Sequence, residues 1–111
     1  MITTSDPQFR MALEILARWG CSGDHVVAVL GMDPTDPPTD YSVDQVSRIS
    51  AVLNLDSALR QRFNNPANVV GFMGMVNHNR PFNGATPLDA VVQGTLTLDE
   101  VARHVVHAGE W

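Results

Sequence analysis

With 111 residues the chain fits a single domain of ordinary size, long enough to bury roughly 60 to 70% of its unfolded surface in one core. Hydrophobic residues make up 44% and charged residues 17%, a balance that excludes a disordered chain. The net charge is −5, there is no lysine and the seven arginines are dispersed, so no basic stripe awaits a nucleic-acid backbone.

Acidity is concentrated at the front. Asp6, Glu14, Asp24, Asp33, Asp36, Asp40, Asp44 and Asp56 face only Arg10, Arg18 and Arg48 up to Ser57, whereas Asp89, Asp99, Glu100 and Glu110 balance Arg60, Arg62, Arg80 and Arg103 beyond it. A lone cysteine, Cys21, cannot form an internal disulfide, which fits a reducing compartment. The opening MITTSDPQFR lacks the basic-then-apolar pattern of a secretory leader, and the uncharged stretch Phe63 to Asn79 carries five asparagines, unlike a membrane span. The expected location is the cytoplasm.

In chain order, Ser5 and Pro7 open a first helix with Phe9, Leu13, Leu16 and Ala17 on its apolar face, and Gly20 stops it. Ser22 caps a short second helix carrying Val26, Val27, Val29 and Leu30, which ends at Gly31. The segment Asp33 to Asp40 holds three prolines and is predicted to be a loop. Ser42 caps a third helix with Val43, Val46, Ile49 and Leu53 in one stripe and an Asp44–Arg48 pair on the other side. Asp56 is expected to start a separate short helix that reaches Phe63 and is broken at Asn64, Asn65 and Pro66.

Pro66 to Val76 is apolar nearly all round, which predicts a helix buried on most sides, with Gly71 and Gly74 leaving a notch for another helix. Such a helix is either the centre of a monomer or half of a two-fold interface, and the surplus of apolar surface leans to a homodimer. Asn77 to Ala85 reads as a loop with an Asn83-Gly84 turn. Thr86-Pro87-Leu88-Asp89 opens a helix that stops at Gly94, and Thr97-Leu98-Asp99-Glu100 is a capping box for a last helix with Leu98, Val101, Ala102, Val105 and Ala108 inward. There is no internal repeat and no convincing strand. The expected fold is all-α, a compact array of short helices: residues 1–41 form a degenerate helix-turn-helix-like part with its acidic proline loop, and 42–111 a partner-binding part of the same domain.

Chemistry is sparse. The sequence holds no phosphate-binding loop with its lysine, no paired cysteines and no His-Glu-x-x-His pattern, so no catalytic residue, metal site or cofactor is assigned. Cys21 without a partner reads as a packing residue. His104 and His107 lie three apart near a helix C-terminus, where solvated imidazoles are favoured over a metal pair; His25 and His78 read as capping or surface residues. Asp33, Asp36 and Asp40 lack the following glutamate of a calcium loop. Phe72 and Met73 read as core, whereas Trp111, beyond Gly109 and Glu110 at a chain end, reads as an anchor in something else.

Asn77 to Asp89, followed by Gly94 and the helix Asp99 to His107, resembles the toxin-binding domain of Xre/MbcA/ParS-type antitoxins. In that family a loop leads to a Gly-Gly-basic-Ser/Thr-Pro-Leu turn, a short helix, a glycine and a final helix, and Phe82 to Leu88 fill those places here. Asn83 stands where glycine is usual and Ala85 where a basic residue is usual. The likeness extends back through Val43 to Phe63 and covers roughly two thirds of the chain. It implies a type II antitoxin, not an enzyme, that neutralises a RES-like, NAD-consuming bacterial toxin by binding over its active site, with no cofactor of its own. The partner-binding residues it implies are Arg80, Phe82, Asn83, Gly84, Thr86, Pro87, Leu88, His107, Glu110 and Trp111. Glu110 would meet the arginines that hold the dinucleotide phosphates, and Trp111 would plug the pocket or else fold back on its own core.

Ala12 to Gly31 resembles the first two helices of a helix-turn-helix, which makes a transcriptional regulator the alternative function. Where a recognition helix should follow, the sequence supplies Met32 and the loop 33–40, with no basic residue. DNA binding by the isolated chain is therefore not expected.

Overall fold

The computed structural model describes residues 7–36 and 40–107. Those residues form six α-helices and one 3₁₀ turn, with no sheet among them: α1 (Pro7–Arg18), α2 (Gly23–Leu30), α3 (Val43–Arg62), α4 (Pro66–Gly71), the 3₁₀ turn (Phe72–Gly74), α5 (Pro87–Val92) and α6 (Leu98–Val106). The all-α expectation holds. The chain divides into two compact units, Met1–Leu53 and Asn54–Trp111, and the division falls inside α3.

In the first unit α1 ends in a paired-carbonyl stop. Gly20, at φ 83°, donates its N–H to the Ala17 carbonyl at 3.0 Å, and the Cys21 N–H reaches the Leu16 carbonyl at 3.1 Å. The buried face of α1 is Phe9, Ala12, Ile15 and Leu16, rotated from the expected stripe: Leu13 is half-buried and Ala17 exposed. Ala12 and Ile15 keep the i, i+3, i+6/i+7 spacing of one helix face with Phe9 and Leu16.

Ser22 caps α2 as expected, and His25 completes a reciprocal box: the Ser22 hydroxyl accepts from the His25 N–H at 3.3 Å while the Ser22 N–H donates to His25 Nδ1 at 3.2 Å. Gly31 closes α2 at φ 71°. Of the expected α2 face, Val29 and Leu30 are buried, Val26 half-buried and Val27 exposed. After Met32, residues 33–36 form a turn in which Asp33 accepts from the Thr35 hydroxyl at 2.7 Å and the Thr35 N–H at 2.9 Å. Those two donors hold the Asp33 carboxyl below the ordinary carboxylate range, the hydroxyl contributing most.

Ser42 and Gln45 make another reciprocal box at the start of α3, with contacts of 2.8 and 3.1 Å. Arg48 pairs with Asp44 at 2.8 Å as its spacing predicts, and its Nη1 also donates to the Ala28 and Val29 carbonyls at 3.2 and 3.4 Å. It thereby supplies the last turn of α2 with donors that the helix itself cannot provide. Tyr41 packs on Phe9, ring centroids 5.5 Å apart.

No new helix begins at Asp56. Nothing between Ser42 and Asn64 forces a break, and the Asp56 carboxylate accepts from Arg60 Nε at 2.8 Å within the same helix, so α3 runs unbroken for 20 residues. Its buried residues are Ile49, Val52, Leu55, Ala58 and Leu59, a stripe fitted to the full length; Val43 is 88% exposed and Leu53 half-buried, unlike the expected shorter stripe.

The second unit departs most from expectation at Pro66 to Val76. Asn65 caps α4 by accepting from the Ala67 N–H at 2.9 Å, but the helix lasts six residues and passes into the 3₁₀ turn. Only Met73 is buried there, while Val70, Met75 and Val76 are exposed. A six-residue helix with glycine at its end has little propensity to continue. The notch at Gly71 receives the chain's own Met75, whose Sδ lies 3.5 Å from where a β-carbon would stand, and not another helix.

Thr86 caps α5 through the Asp89 N–H at 3.0 Å, and Gly94 at φ 81° ends the segment with the same paired-carbonyl stop, Gly94 N–H to Val91 and Thr95 N–H to Ala90. Thr97 and Glu100 form the expected capping box, each contact at 3.1 Å. Leu98, Val101 and Val105 of α6 are buried and Ala102 half-buried; Ala108 lies outside the described residues. No helix among the described residues is long and apolar enough to cross a membrane.

Candidate functional site: a closed loop and the groove beside α6

Residues 77–85 close on themselves. The Asn77 N–H donates to the Ala85 carbonyl at 3.0 Å and the Gly84 N–H returns to the Asn77 carbonyl at 2.8 Å, so the two ends of the loop are stitched together. Inside it the Asn77 carboxamide oxygen accepts from the Asn79 N–H at 2.9 Å, and the Asn79 carbonyl accepts from the Phe82 and Asn83 N–H groups at 2.9 and 3.1 Å. The Arg80–Pro81 peptide is cis. Asn83 has φ 53° and Gly84 φ 98°, both left-handed; asparagine tolerates this conformation better than most side-chain-bearing residues.

Phe82 roots the loop. It is buried, and it is the third member of a ring series running Phe63, Phe72, Phe82 and His104, with successive centroids 5.9, 6.1 and 6.3 Å apart. The last two contacts are edge-on, the geometry that aromatic quadrupoles favour. Arg62 covers the outer end, its guanidinium carbon 5.5 Å from the Phe63 centroid. His104 is thus half-buried against Phe82 and not the solvated side chain that its position suggested; His107 is exposed.

The sequence-nominated residues fall into distinct groups. Phe82, Pro87 and Leu88 are buried and serve their own unit's packing, which removes their side chains from a contact surface. Thr86 is half-buried and occupied as a helix cap. Arg80, Asn83 and Gly84 are exposed together on the loop. His107 lines a separate groove, and Glu110 and Trp111 lie outside the described residues.

That groove, about 690 Å³, is lined by Asn54 and Ala58 of α3 and by Thr97, Asp99, Glu100, Ala102, Arg103, Val106 and His107 at α6. It is an open trough with one acidic end and one basic end. The sequence pattern does not show the groove; the only signal in the sequence is that Val106 lies off the inward stripe Leu98, Val101 and Val105, and in the structure it is 62% exposed. Met75 and Val76, expected to be buried with their segment, are 62% and 57% exposed and lead directly into the loop.

No family model, curated protein or solved structure matches the chain.

Among the described residues no three His, Cys, Asp or Glu side chains are grouped as a metal would need. Cys21 is half-buried, and burial pushes its thiol up to about 11. A thiol so disfavoured as thiolate is a poor nucleophile. The second unit presents donors and acceptors on a closed loop, exposed apolar side chains leading into that loop, and a charged trough.

Proposed function

We propose that the chain acts by binding a protein and not by catalysis, as an antitoxin that covers the active site of a RES-like, NAD-consuming toxin. The observation that carries this reading is the closed loop 77–85, tied end to end through Asn77 and rooted by Phe82, which carries the exposed Arg80, Asn83 and Gly84 and follows directly on the exposed Met75 and Val76. Preorganisation of this kind lowers the ordering cost of association, and an exposed arginine next to apolar side chains is the usual composition of a contact centre. The same stretch carries the antitoxin-like pattern, so geometry and pattern support one surface.

Co-expression with the product of the neighbouring gene tests it. That product should arrest growth alone and be relieved by this chain, and Arg80→Glu should weaken relief at least tenfold while the variant keeps its helical circular dichroism. A neighbour that is harmless, or one that stays toxic in the presence of the folded chain, sinks the proposal.

A further inference from the structure

We propose that the outer face of α6 is a homodimer contact, in which a second copy of this chain lays its own α6 antiparallel across the first. The partner here is the chain itself, so the inference is independent of the toxin reading.

The argument begins from unspent charge. Asp44–Arg48 and Asp56–Arg60 are each four residues apart on a helix, and each pair is joined at 2.8 Å. Asp99 and Arg103 have the same spacing on α6, yet they enter neither of the ion pairs among the described residues and both are exposed. Glu100, next to Asp99, is already engaged by the Thr97 cap. A free acid and a free base one turn apart therefore stand on one face, together with the half-buried Ala102 and the 62% exposed Val106.

Such a face is complementary to itself. A two-fold axis passing beside Ala102 runs the two helices antiparallel and sets Asp99 of each copy across from Arg103 of the other, giving the charge pair twice. Small Ala102 and Ala58 permit close approach, and each Val106 lies against the other copy's trough. The helix dipoles oppose as well. Elsewhere, two copies of a chain with net charge −5 repel; the second unit, with five acids and four arginines, is nearly neutral and allows contact.

Size sets the strength. A nine-residue helix is only about 14 Å long, too short to bury the roughly 1,600 Å² of a standard interface, so self-association should be weak and concentration-dependent.

Sedimentation velocity on the full chain from about 5 to about 500 µM reads this directly. The wild type should pass from monomer to dimer. Asp99→Arg and Arg103→Asp, each checked for helicity by circular dichroism, should each weaken the dimer at least tenfold. Mixed in equal amounts, the two variants should dimerise again, because one then carries two bases and the other two acids across the same axis, and an unfolded variant could not be rescued in this way. A wild type that stays monomeric throughout, variants that dimerise as well as it does, or monomeric variants that fail to rescue each other would overturn the proposal.

Discussion

Arg48 holds two helices of the first unit with one side chain, giving Nε to Asp44 and Nη1 to the final carbonyls of α2. The ion pair alone, on a side chain 42% exposed, contributes little; the carbonyl contacts matter more because they satisfy acceptors at a helix end. Arg48→Ala should lower stability by about 1 to 2 kcal/mol, and Arg48→Lys, which keeps the charge but loses the fork, should recover less than half of that. Urea unfolding followed by circular dichroism measures both, and an unchanged midpoint for the alanine variant would refute the role. Cys21 makes a chemical prediction. Its folded value of about 11 lies above its ordinary 9.0, so the thiol form stabilises the fold below pH 9 and that contribution is lost as pH rises toward 11. At pH 8 alkylation should be slower in the folded chain than in urea, and equal rates would contradict the burial.

At the scale of elements, the closed loop and its aromatic root form one device. Phe82→Ala should cost about 3 to 5 kcal/mol, since it empties the position between Phe72 and His104, whereas Phe82→Leu should cost markedly less. If amide exchange across 77–85 stayed slow in the alanine variant, the loop would be held by its backbone hydrogen bonds alone. The segment after α2 carries a second expectation. Residues 33–36 form a turn, α3 does not start until Val43, and the residues 33–40 include acids and no base. The isolated chain should therefore show no specific DNA binding in a gel shift at physiological salt; nanomolar binding to its own promoter would reverse the conclusion.

For the whole molecule, helix punctuation was highly legible. Ser22, Ser42, Thr86 and Thr97 cap the helices that their spacing predicted, and Gly20, Gly31 and Gly94 stop them, because these signals act within a few residues. Long-range choices were not legible. Whether Asp56 caps a new helix or pairs with Arg60 inside an old one depends on what packs beneath it, and whether Val70, Met75 and Val76 go inward depends on neighbours that no local pattern names. The candidate site divided likewise. The turn at Asn83 and Gly84 was readable from its residues, but the burial of Phe82, Pro87 and Leu88 and the trough along α6 were not, since each requires knowing which face meets which helix.

The stitch from Gly84 to Asn77 also bears on how the molecule ages. An asparagine followed by glycine is where a polypeptide most readily loses ammonia, because the next residue's backbone nitrogen attacks the side-chain carboxamide and water then opens the ring to aspartate or isoaspartate. In this loop that nitrogen is committed to the Asn77 carbonyl at 2.8 Å, and the Asn83 carboxamide itself donates to the Pro81 carbonyl at 3.3 Å. Folding should thus protect the loop surface proposed to meet the toxin from acquiring a negative charge with time. Incubation at mildly alkaline pH with peptide mass analysis should find Asn83 converted far more slowly in the native chain than in urea, and release of the stitch by Phe82→Ala should bring the two rates together.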